Sequence, residues 1–263
     1  MTIKVTILGC GGATGTPSIN GGWGACDPEN PKNRRSRPSI LVETADTTIL
    51  VDASPDLRAQ LLASGTRKLD AVLFTHIHAD HTHGIDDLRD VNRAMGAPIA
   101  AYGDAETLGP LTHRFAYVFE PLPKGTNFYF KPTLEAHEIR DGQDFQIGSI
   151  PVQAFAQDHG YCTSIGFRLG PVAYSTDVVR MPDAAFDALA GVEGWIVGAL
   201  RDEPHPTHAH VEKALEWAAR IGPRTTVLTH LSPDLDHGDL SARLPEGVVA
   251  GYDGLVLEFP FQI

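Results

Sequence analysis

The amino-acid sequence predicts an α/β fold, in which short apolar strands alternate with amphipathic helices. Three observations support this: strand-like runs with alternating side chains, segments with leucines at helical spacing, and a second half that repeats the order of the first. The chain has 263 residues, of which 42% are hydrophobic, and this is enough to bury a substantial core. We therefore expect residues 1–263 to form a single domain.

The first third of the chain contains four predicted strands and one predicted helix. The strands are alternating or short apolar runs, and they cover residues 2–8, 39–43, 48–51 and 71–74. The second and third of these strands should form a hairpin. The helix, over residues 56–64, has leucines at helical spacing and ends near Gly65.

The middle of the chain is less regular. Periodicity predicts a helix over residues 85–95 and a strand over 99–102. Residues 111–132 are rich in Phe, Tyr and Pro, and we expect an irregular stretch there. This stretch is either a lid or subunit contact, which would make residues 115–130 a candidate homodimer surface, or a loop packed by its own aromatic side chains.

The second half places polar residues directly after apolar strands. The predicted strands cover residues 149–156, 163–169, 172–175, 194–199 and 225–228. A helix is predicted over residues 208–221, with Val211, Leu215 and Ala218 on one face. His159, Asp177 and His230 each lie just past a strand, where α/β enzymes gather their ligands.

The segment Thr75–His81 carries three histidines and one aspartate immediately after an apolar run. Alternation places His76 and His78 on one side, while Asp80 and His81 reach a second point, which suits two metal ions better than one. Taken singly, His159 and His230 could be solvated histidines, and Asp177 could be a capping residue. Taken together, these imidazoles and carboxylates would be costly to cluster without a pair of divalent cations.

Composition narrows the class of protein. The formal net charge of −12 disfavours a protein that coats nucleic acid, although Arg34, Arg35 and Arg37 form a local basic cluster that could meet a small phosphorylated substrate. Three cysteines form neither a disulfide framework nor a CxxC site, which favours a reducing, cytoplasmic compartment. The first residues are too short and too alternating for a signal peptide, and no membrane association is expected.

The order of these motifs resembles the metallo-β-lactamase superfamily. The shared order is HxHxDH, a histidine after a strand, the aspartate of "VAYSTD" and "LTH" near the C-terminus. The segments "LGCGGATGTPS", "NRRSRPSILVE" and "ILVDASPDLR" look most like the branch that contains the phosphoribosyl cyclic phosphate phosphodiesterase of the phosphonate pathway. The resemblance covers residues 4–258 and implies an αβ/βα four-layer sandwich, with two mixed β-sheets back to back and helices outside.

The resemblance also implies a dinuclear centre with Zn or Mn, or Fe as a third candidate. One ion would be held by three histidines, the other by an aspartate and two histidines, and a further aspartate would bridge them: His76, His78 and His159; Asp80, His81 and His230; Asp177. A water or hydroxide shared by the ions would attack a phosphodiester, and Asp80 could also orient it. Asp52 would hold a ligand histidine or a backbone amide by a hydrogen bond.

The leaving group of a phosphodiester needs a proton, and in the phosphodiesterase branch a histidine at the start of the helix before the last strand supplies it. His208 matches that position best, while His205 and His210 are competing candidates, and all three could be surface histidines.

Substrate contacts are weakly marked. Thr14 and Ser18 in the glycine-rich turn, together with Arg34 and Arg35, are candidates to bind a phosphate. The branch also carries a cysteine cluster for a structural zinc, whereas this chain retains only Cys26 there, so a third zinc is not expected.

These features favour a metal-dependent hydrolase, specifically a phosphodiesterase for a small phosphodiester, a cyclic phosphate or a nucleotide-like compound. The alternatives are a thioester or lactone hydrolase, a tRNA 3′-endonuclease, or a non-catalytic accessory protein of quinone cofactor biosynthesis. The absence of an extended basic insertion weighs against the endonuclease, and the presence of all seven ligands weighs against the accessory protein.

Overall fold

The computed structural model describes residues 2–126 and 128–261 and shows two mixed β-sheets flanked by helices, as the sequence predicts. The first sheet contains β1 (Thr2–Gly9), β2 (Ser39–Glu43), β3 (Thr48–Val51), β4 (Ala71–Leu73), β5 (Ile99–Gly103), β6 (Leu134–Glu138) and β14 (Val256–Pro260). The second contains β7 (Asp144–Ile147), β8 (Ile150–Asp158), β9 (Thr163–Leu169), β10 (Val172–Ser175), β11 (Gly194–Gly198), β12 (Thr225–Thr229) and β13 (Val248–Ala250).

Each sheet joins an antiparallel half to a parallel half. The first has the spatial order β14-β1-β2-β3-β4-β5-β6, and its strands are parallel from β3 to β6. The second has the order β13-β12-β11-β10-β9-β8-β7, and its strands are parallel from β10 to β13. Because the carboxyl ends of parallel strands meet at one edge, each sheet presents the residues that follow its strands together.

Three layers of apolar contacts hold the sheets and helices together. The helices are α1 (Leu57–Ser64), α2 (Ala79–Thr82), α3 (Leu88–Met95), α4 (Ala105–Arg114), α5 (Ala116–Phe119), α6 (Asp183–Ala188), α7 (Val211–Ile221) and α8 (His237–Arg243). Alternate side chains of the two sheets, such as Val5 and Phe167, form the central core between them. Helices α1, α3 and α4 cover the outside of the first sheet, whereas α6, α7 and α8 cover the second. The four-layer sandwich is therefore confirmed.

Three predicted regions differ from the structure, two of them predicted as helices and one as an irregular stretch. Residues 85–87 form a turn of 3₁₀ helix, and α3 begins only at Leu88. The expectation of an irregular stretch over 111–132 was wrong at its start, because α4 runs to Arg114 and α5 follows at once; Asn127 lies outside the described residues. Helix α7 begins at Val211 rather than 208, which leaves His208 in the preceding loop. Among the described residues, no helix is long and apolar enough to cross a bilayer.

Candidate metal centre

The seven histidines and aspartates predicted as ligands converge where the two sheets present their strand ends. His76, His78, Asp80 and His81 follow β4 of the first sheet, with Asp80 and His81 in the short helix α2. The other three residues follow strands of the second sheet, β8, β10 and β12, and are His159, Asp177 and His230. The cluster therefore joins the two halves of the sandwich.

The seven residues form two groups that share Asp177. The groups are His76, His78, His159 and Asp177, and Asp80, His81, Asp177 and His230. Within each group, one ligand atom from every residue lies within 4.8 Å of the others. The carboxylate of Asp177 divides between them, because Oδ2 faces the histidines of the first group and Oδ1 faces those of the second. This is the arrangement expected of a carboxylate that bridges two cations.

The spacing of the donor atoms fits divalent cations. Asp177 Oδ2 lies 3.6 Å from His76 Nε2 and 3.4 Å from His159 Nε2. Asp177 Oδ1 lies 3.3 Å from His81 Nε2 and 3.2 Å from His230 Nε2. Ligands bound about 2.1 Å from a tetrahedral ion lie roughly 3.4 Å from one another. The Nε2 atoms of His76, His81 and His230 are also buried without a hydrogen-bond partner among the described residues, so the cluster is suited to divalent metal ions.

Outer hydrogen bonds fix the orientation of the histidine rings. Asp52 Oδ2 lies 2.7 Å from His81 Nδ1, and Asp52 Oδ1 accepts the Thr75 backbone N–H at 2.9 Å. Both contacts confirm the predicted role of Asp52 as a support for a histidine and a backbone amide. His159 Nδ1 donates to the Thr207 carbonyl at 2.7 Å. With Nδ1 engaged, Nε2 of each ring is left to face the cluster.

The backbone at the cluster is held in an unusual conformation. All three non-glycine residues with positive φ in the described chain lie here, namely Asp52 (65°), Asp177 (48°) and His230 (56°). Asp and His enter this left-handed region more readily than most residues, but at an energetic cost. Each of them follows a strand of a packed sheet, so the fold holds the side chains in place despite this cost.

Burial and neighbouring charges set the protonation of the cluster. Burial, followed by the nearby His81, holds the pKa of His76 well below its usual range, and burial also lowers the pKa of His159. Burial opposes a positive charge on His81, but the neighbouring carboxylates raise the pKa of this imidazole well above its ordinary value. The carboxylates of Asp177 and Asp80 likewise raise the pKa of His230 despite its burial. Burial would raise the pKa of Asp177, but the imidazoles of His230 and His81 hold it well below its usual range.

The three histidines considered as proton donors lie at different distances from the cluster. His208 Nε2 is 3.1 Å from Asp177 Oδ2, and its Nδ1 is 2.8 Å from Thr207 Oγ1. His205 lies behind it, with the two Nδ1 atoms 3.2 Å apart. His210 occupies the N-cap position of α7 and does not line the cavity that contains the cluster. Of the three, His208 therefore has the geometry that a proton donor needs.

The cluster opens into a cavity of 350 Å³ whose walls the sequence did not identify. Ala13, Tyr161, Cys162, Pro206 and Thr207 line it together with the histidines and aspartates. Tyr161 and Cys162 lie within three residues of His159, and the pattern of a ligand followed by a tight turn is the signal that could have located them.

The four candidate phosphate-binding residues lie elsewhere. Thr14, Arg34 and Arg35 line a separate cavity of 600 Å³ beside α1. Ser18 is buried, and its hydroxyl accepts the Gly21 backbone N–H. This placement gives no support to a contact between these side chains and a substrate bound at the cluster.

Arg35 instead ties two loops together. Its buried guanidinium donates to the carbonyls of Ser232 and Leu235 at 3.1 and 2.7 Å and to Asn33 Oδ1 at 3.3 Å. The thiol of Cys26 donates to the same Leu235 carbonyl. The loop that follows His230 is therefore fixed to residues 26–35 by a buried cation.

The fold and the two donor groups define a metal-dependent hydrolase. The family model described as "Beta-lactamase superfamily domain" matches residues 47–231, and the chain belongs to this superfamily. A crystal structure of a diphosphatase from the PhnP family is 33% identical, covers 100% of this chain and 99% of its own, and superposes with a TM-score of 0.91. The chain lies in the PhnP branch, as the sequence motifs predicted.

Two further relatives are similar over most of this chain. Ribonuclease Z of Mycolicibacterium gilvum (strain PYR-GCK) is 30% identical over 268 residues, which cover 90% of this chain and 86% of that protein. The octanoyltransferase of Porphyromonas gingivalis (strain ATCC BAA-308 / W83) is 33% identical over 257 residues, or 96% of this chain. The chain spans only 51% of the octanoyltransferase, so octanoyl transfer is not carried over to it.

Proposed function

We propose that the chain is a dinuclear metal-dependent phosphodiesterase that acts on a small phosphodiester or cyclic phosphate, such as a nucleotide-like compound. The observation that carries this proposal is the split of Asp177, whose two oxygens face two separate groups of donors. The likeness over the full length to a PhnP-family diphosphatase supports phosphoryl chemistry. Since both sheets contribute donors to one centre, we also propose that residues 1–263 act as one hydrolase domain. The three cysteines, which form neither a disulfide framework nor a CxxC site, support a cytoplasmic location for it.

In this proposal two groups of residues would hold two ions, and Asp177 would belong to both groups. His76, His78 and His159 would complete the first group, and Asp80, His81 and His230 the second. We propose Zn or Mn, with Fe as a further candidate, because mixed imidazole and carboxylate donors accept all three. The bound ions would supply activation of water and neutralisation of charge on the phosphoryl oxygens.

His208 is the proposed proton donor to the leaving group. Its Nε2 faces the cluster at 3.1 Å from Asp177, and the Thr207 hydroxyl at its Nδ1 restrains the ring. Asp80 Oδ2 lies 3.3 Å from His81 Nε2 and 3.5 Å from His230 Nε2, so its carboxylate can also orient a water at the second group.

A diphosphate bond is the second candidate substrate, because the PhnP-family relative with a TM-score of 0.91 is a diphosphatase. RNA is less well supported, because a net charge of −12 repels a polyanion. The exposed aromatic side chains of Tyr117, Phe128 and Phe130 keep a homodimer as a proposal, and sedimentation equilibrium would test it.

Metal counting combined with turnover tests the proposed function. We expect two equivalents of Zn²⁺ or Mn²⁺ per chain and hydrolysis of bis(p-nitrophenyl) phosphate, and an anhydride such as a dinucleoside diphosphate tests the second candidate. Fewer than two equivalents under saturating conditions, with no diester hydrolysed, would contradict the proposal.

Leaving groups of different basicity test the role of His208. A phenolate needs a proton more than a nitrophenolate does, so His208→Gln should slow phenyl ester hydrolysis roughly 100-fold and nitrophenyl ester hydrolysis much less. His210→Gln is the matched control, because His210 occupies the N-cap position of α7 outside the cavity. Equal losses for both esters would contradict proton donation by His208.

A further inference from the structure

Tyr161 stands at the mouth of the cavity that contains the candidate metal centre. Its side chain is 89% exposed although it lines the cavity, whereas His159, two residues earlier, is buried. The described part of the chain exposes few large aromatic rings to this extent. An exposed ring beside a reaction centre offers a flat apolar face to whatever enters.

The backbone of the turn that carries Tyr161 is closely packed. Gly160 has φ of 86°, and a Cβ there would lie 2.8 Å from the Pro206 carbonyl oxygen and 3.0 Å from a Thr207 methyl carbon. The Gly160 backbone N–H also donates to Asp158 Oδ1 at 2.7 Å. Because the turn is packed and hydrogen-bonded, its backbone presents Tyr161 at the mouth before a substrate arrives.

The turn that carries this ring lies beside the segment of the proposed proton donor. Gly160 packs against residues 206–207, and the next residue along that segment is His208, the proposed proton donor. A proton donor marks the position of the leaving oxygen. The group attached to that oxygen would therefore extend past Thr207 toward Tyr161.

Beyond its histidines, the described lining of the cavity offers no cationic side chain to meet a second phosphate. Within the described chain, no Lys or Arg lines this cavity. Arg180, close to the turn, is paired with Asp158 at 2.7 Å. A phosphate on the leaving group would therefore find no lysine or arginine to pair with on this wall.

We propose that Tyr161 determines specificity by stacking on a planar, uncharged leaving group, such as an aryl ring or the base of a nucleoside. This inference rests on the proposed phosphodiesterase function and on His208 marking the leaving side. It assigns the wall formed by Tyr161, Pro206 and Thr207 as a leaving-group subsite.

Two phosphodiesters test this subsite. Both keep a methyl ester group, and they differ only in the group that leaves. Methyl p-nitrophenyl phosphate has a flat leaving group, and methyl trifluoroethyl phosphate has an alkyl one. Tyr161→Ala should lower kcat/KM for the aryl ester roughly 5- to 20-fold, mainly through KM, because stacking is lost. The same substitution should change kcat/KM for the alkyl ester less than about twofold, and Tyr161→Phe should leave both within about twofold, because its ring is retained.

The outcomes separate the subsite from the proposed function. Hydrolysis of both esters by the wild type, with equal effects of Tyr161→Ala on each, would overturn the subsite and leave the phosphodiesterase standing. Hydrolysis of neither ester by the metal-loaded wild type would overturn both. The substitution is far from the core, because the side chain is 89% exposed, so loss of folding does not confuse the comparison.

Discussion

At the level of single residues, Asp52 shows how a side chain outside both donor groups sets the geometry of the site. It is fully buried, and burial raises the pKa of its carboxyl, although His81 and the Thr75 hydrogen bonds act in the opposite direction. Its two oxygens together bind His81 Nδ1, the Thr75 amide and the Thr75 hydroxyl. All three partners lie on the segment that carries the HxHxDH motif.

Asp52→Asn should weaken metal binding about 10- to 100-fold, because an amide of the same shape cannot accept from all of these donors. Competition with a chromophoric chelator at fixed pH would measure the change. Asp90→Asn is the control, since Asp90 is exposed and pairs only with surface arginines. A folded Asp52→Asn protein that binds metal as tightly as the wild type would show that the carboxylate has no part in holding His81.

At the level of elements, the segment that follows β12 depends on a distant part of the chain. Arg35 donates to the Ser232 carbonyl, two residues after His230, and to the Leu235 carbonyl. The structure shows no carboxylate bonded to this guanidinium within the described chain, so its charge is balanced by carbonyl dipoles and the Asn33 amide oxygen. Arginine suits this role because its planar fork donates in several directions at once.

Arg35→Met should lower the free energy of unfolding by roughly 2–4 kcal/mol, because it leaves buried carbonyls without donors. It should also weaken metal binding, since the loop that carries His230 loses its attachment. Urea unfolding of the metal-free protein would give the first effect, and chelator competition the second. Arg34→Met serves as control, because Arg34 is exposed and stacks on Trp23. Equal stabilities for the two variants would contradict the role of Arg35.

The strands were predictable from sequence because their signals are local, whereas the seven histidines and aspartates of the cluster were located by the order of motifs that carries the family resemblance. The hairpin strands β2 and β3 match their predicted bounds, since apolar runs beside turn residues define them. The start of α7 was not predictable, because residues before Val211 are held by long-range bonds: the Ala209 N–H donates to the Val178 carbonyl, and the Leu200 N–H to the Ala209 carbonyl. These bonds keep His208 out of the helix and in the cavity.

Two other predictions, the irregular stretch over residues 111–132 and phosphate binding by Arg35, failed for different physical reasons. Gly109 and Pro110 lie inside α4, where both residues oppose a helix and outweigh the local signal of the cap by Asp104. Arg35 was expected to bind a phosphate because its charge is visible in the sequence, but its burial against the loop after His230 is not. Contacts between segments about 200 residues apart leave no periodic trace in a single sequence.

At the level of the whole molecule, the cluster fastens one sheet of the sandwich to the other. Four donors come from the segment after β4 and three from the strands of the second sheet. Bound ions should therefore stabilise the complete fold.

A free ion at 100 times its dissociation constant would add about 2.7 kcal/mol per site to the free energy of unfolding. Calorimetry should show that metal raises Tm and that a chelator reverses the rise. A metal-independent Tm would contradict a shared site between the sheets.

The rise in Tm that metal causes should depend on pH. The protonation of His81 and His230 determines whether this rise grows or shrinks as the pH increases. Their carboxylate neighbours outweigh burial and raise both pKa values above the ordinary value of about 6.5 in the metal-free protein. Protons on these imidazoles stabilise the metal-free fold fully below pH 6.5, and this stabilisation is lost as the pH rises through the raised values. The same protons compete with cations, so metal affinity increases over the same window.

As the pH rises, the metal-free fold loses stability and metal affinity increases, and both changes enlarge the effect of metal on Tm. The rise in Tm caused by metal should therefore be small at pH 6 and should grow toward pH 9. His76 and His159 do not contribute to this trend, because burial lowers their pKa values and leaves them neutral in this window. Scanning calorimetry in metal-buffered and chelated samples across this range would measure the difference in Tm. A difference that is constant between pH 6 and 9 would mean that His81 and His230 carry no protons for the cation to displace.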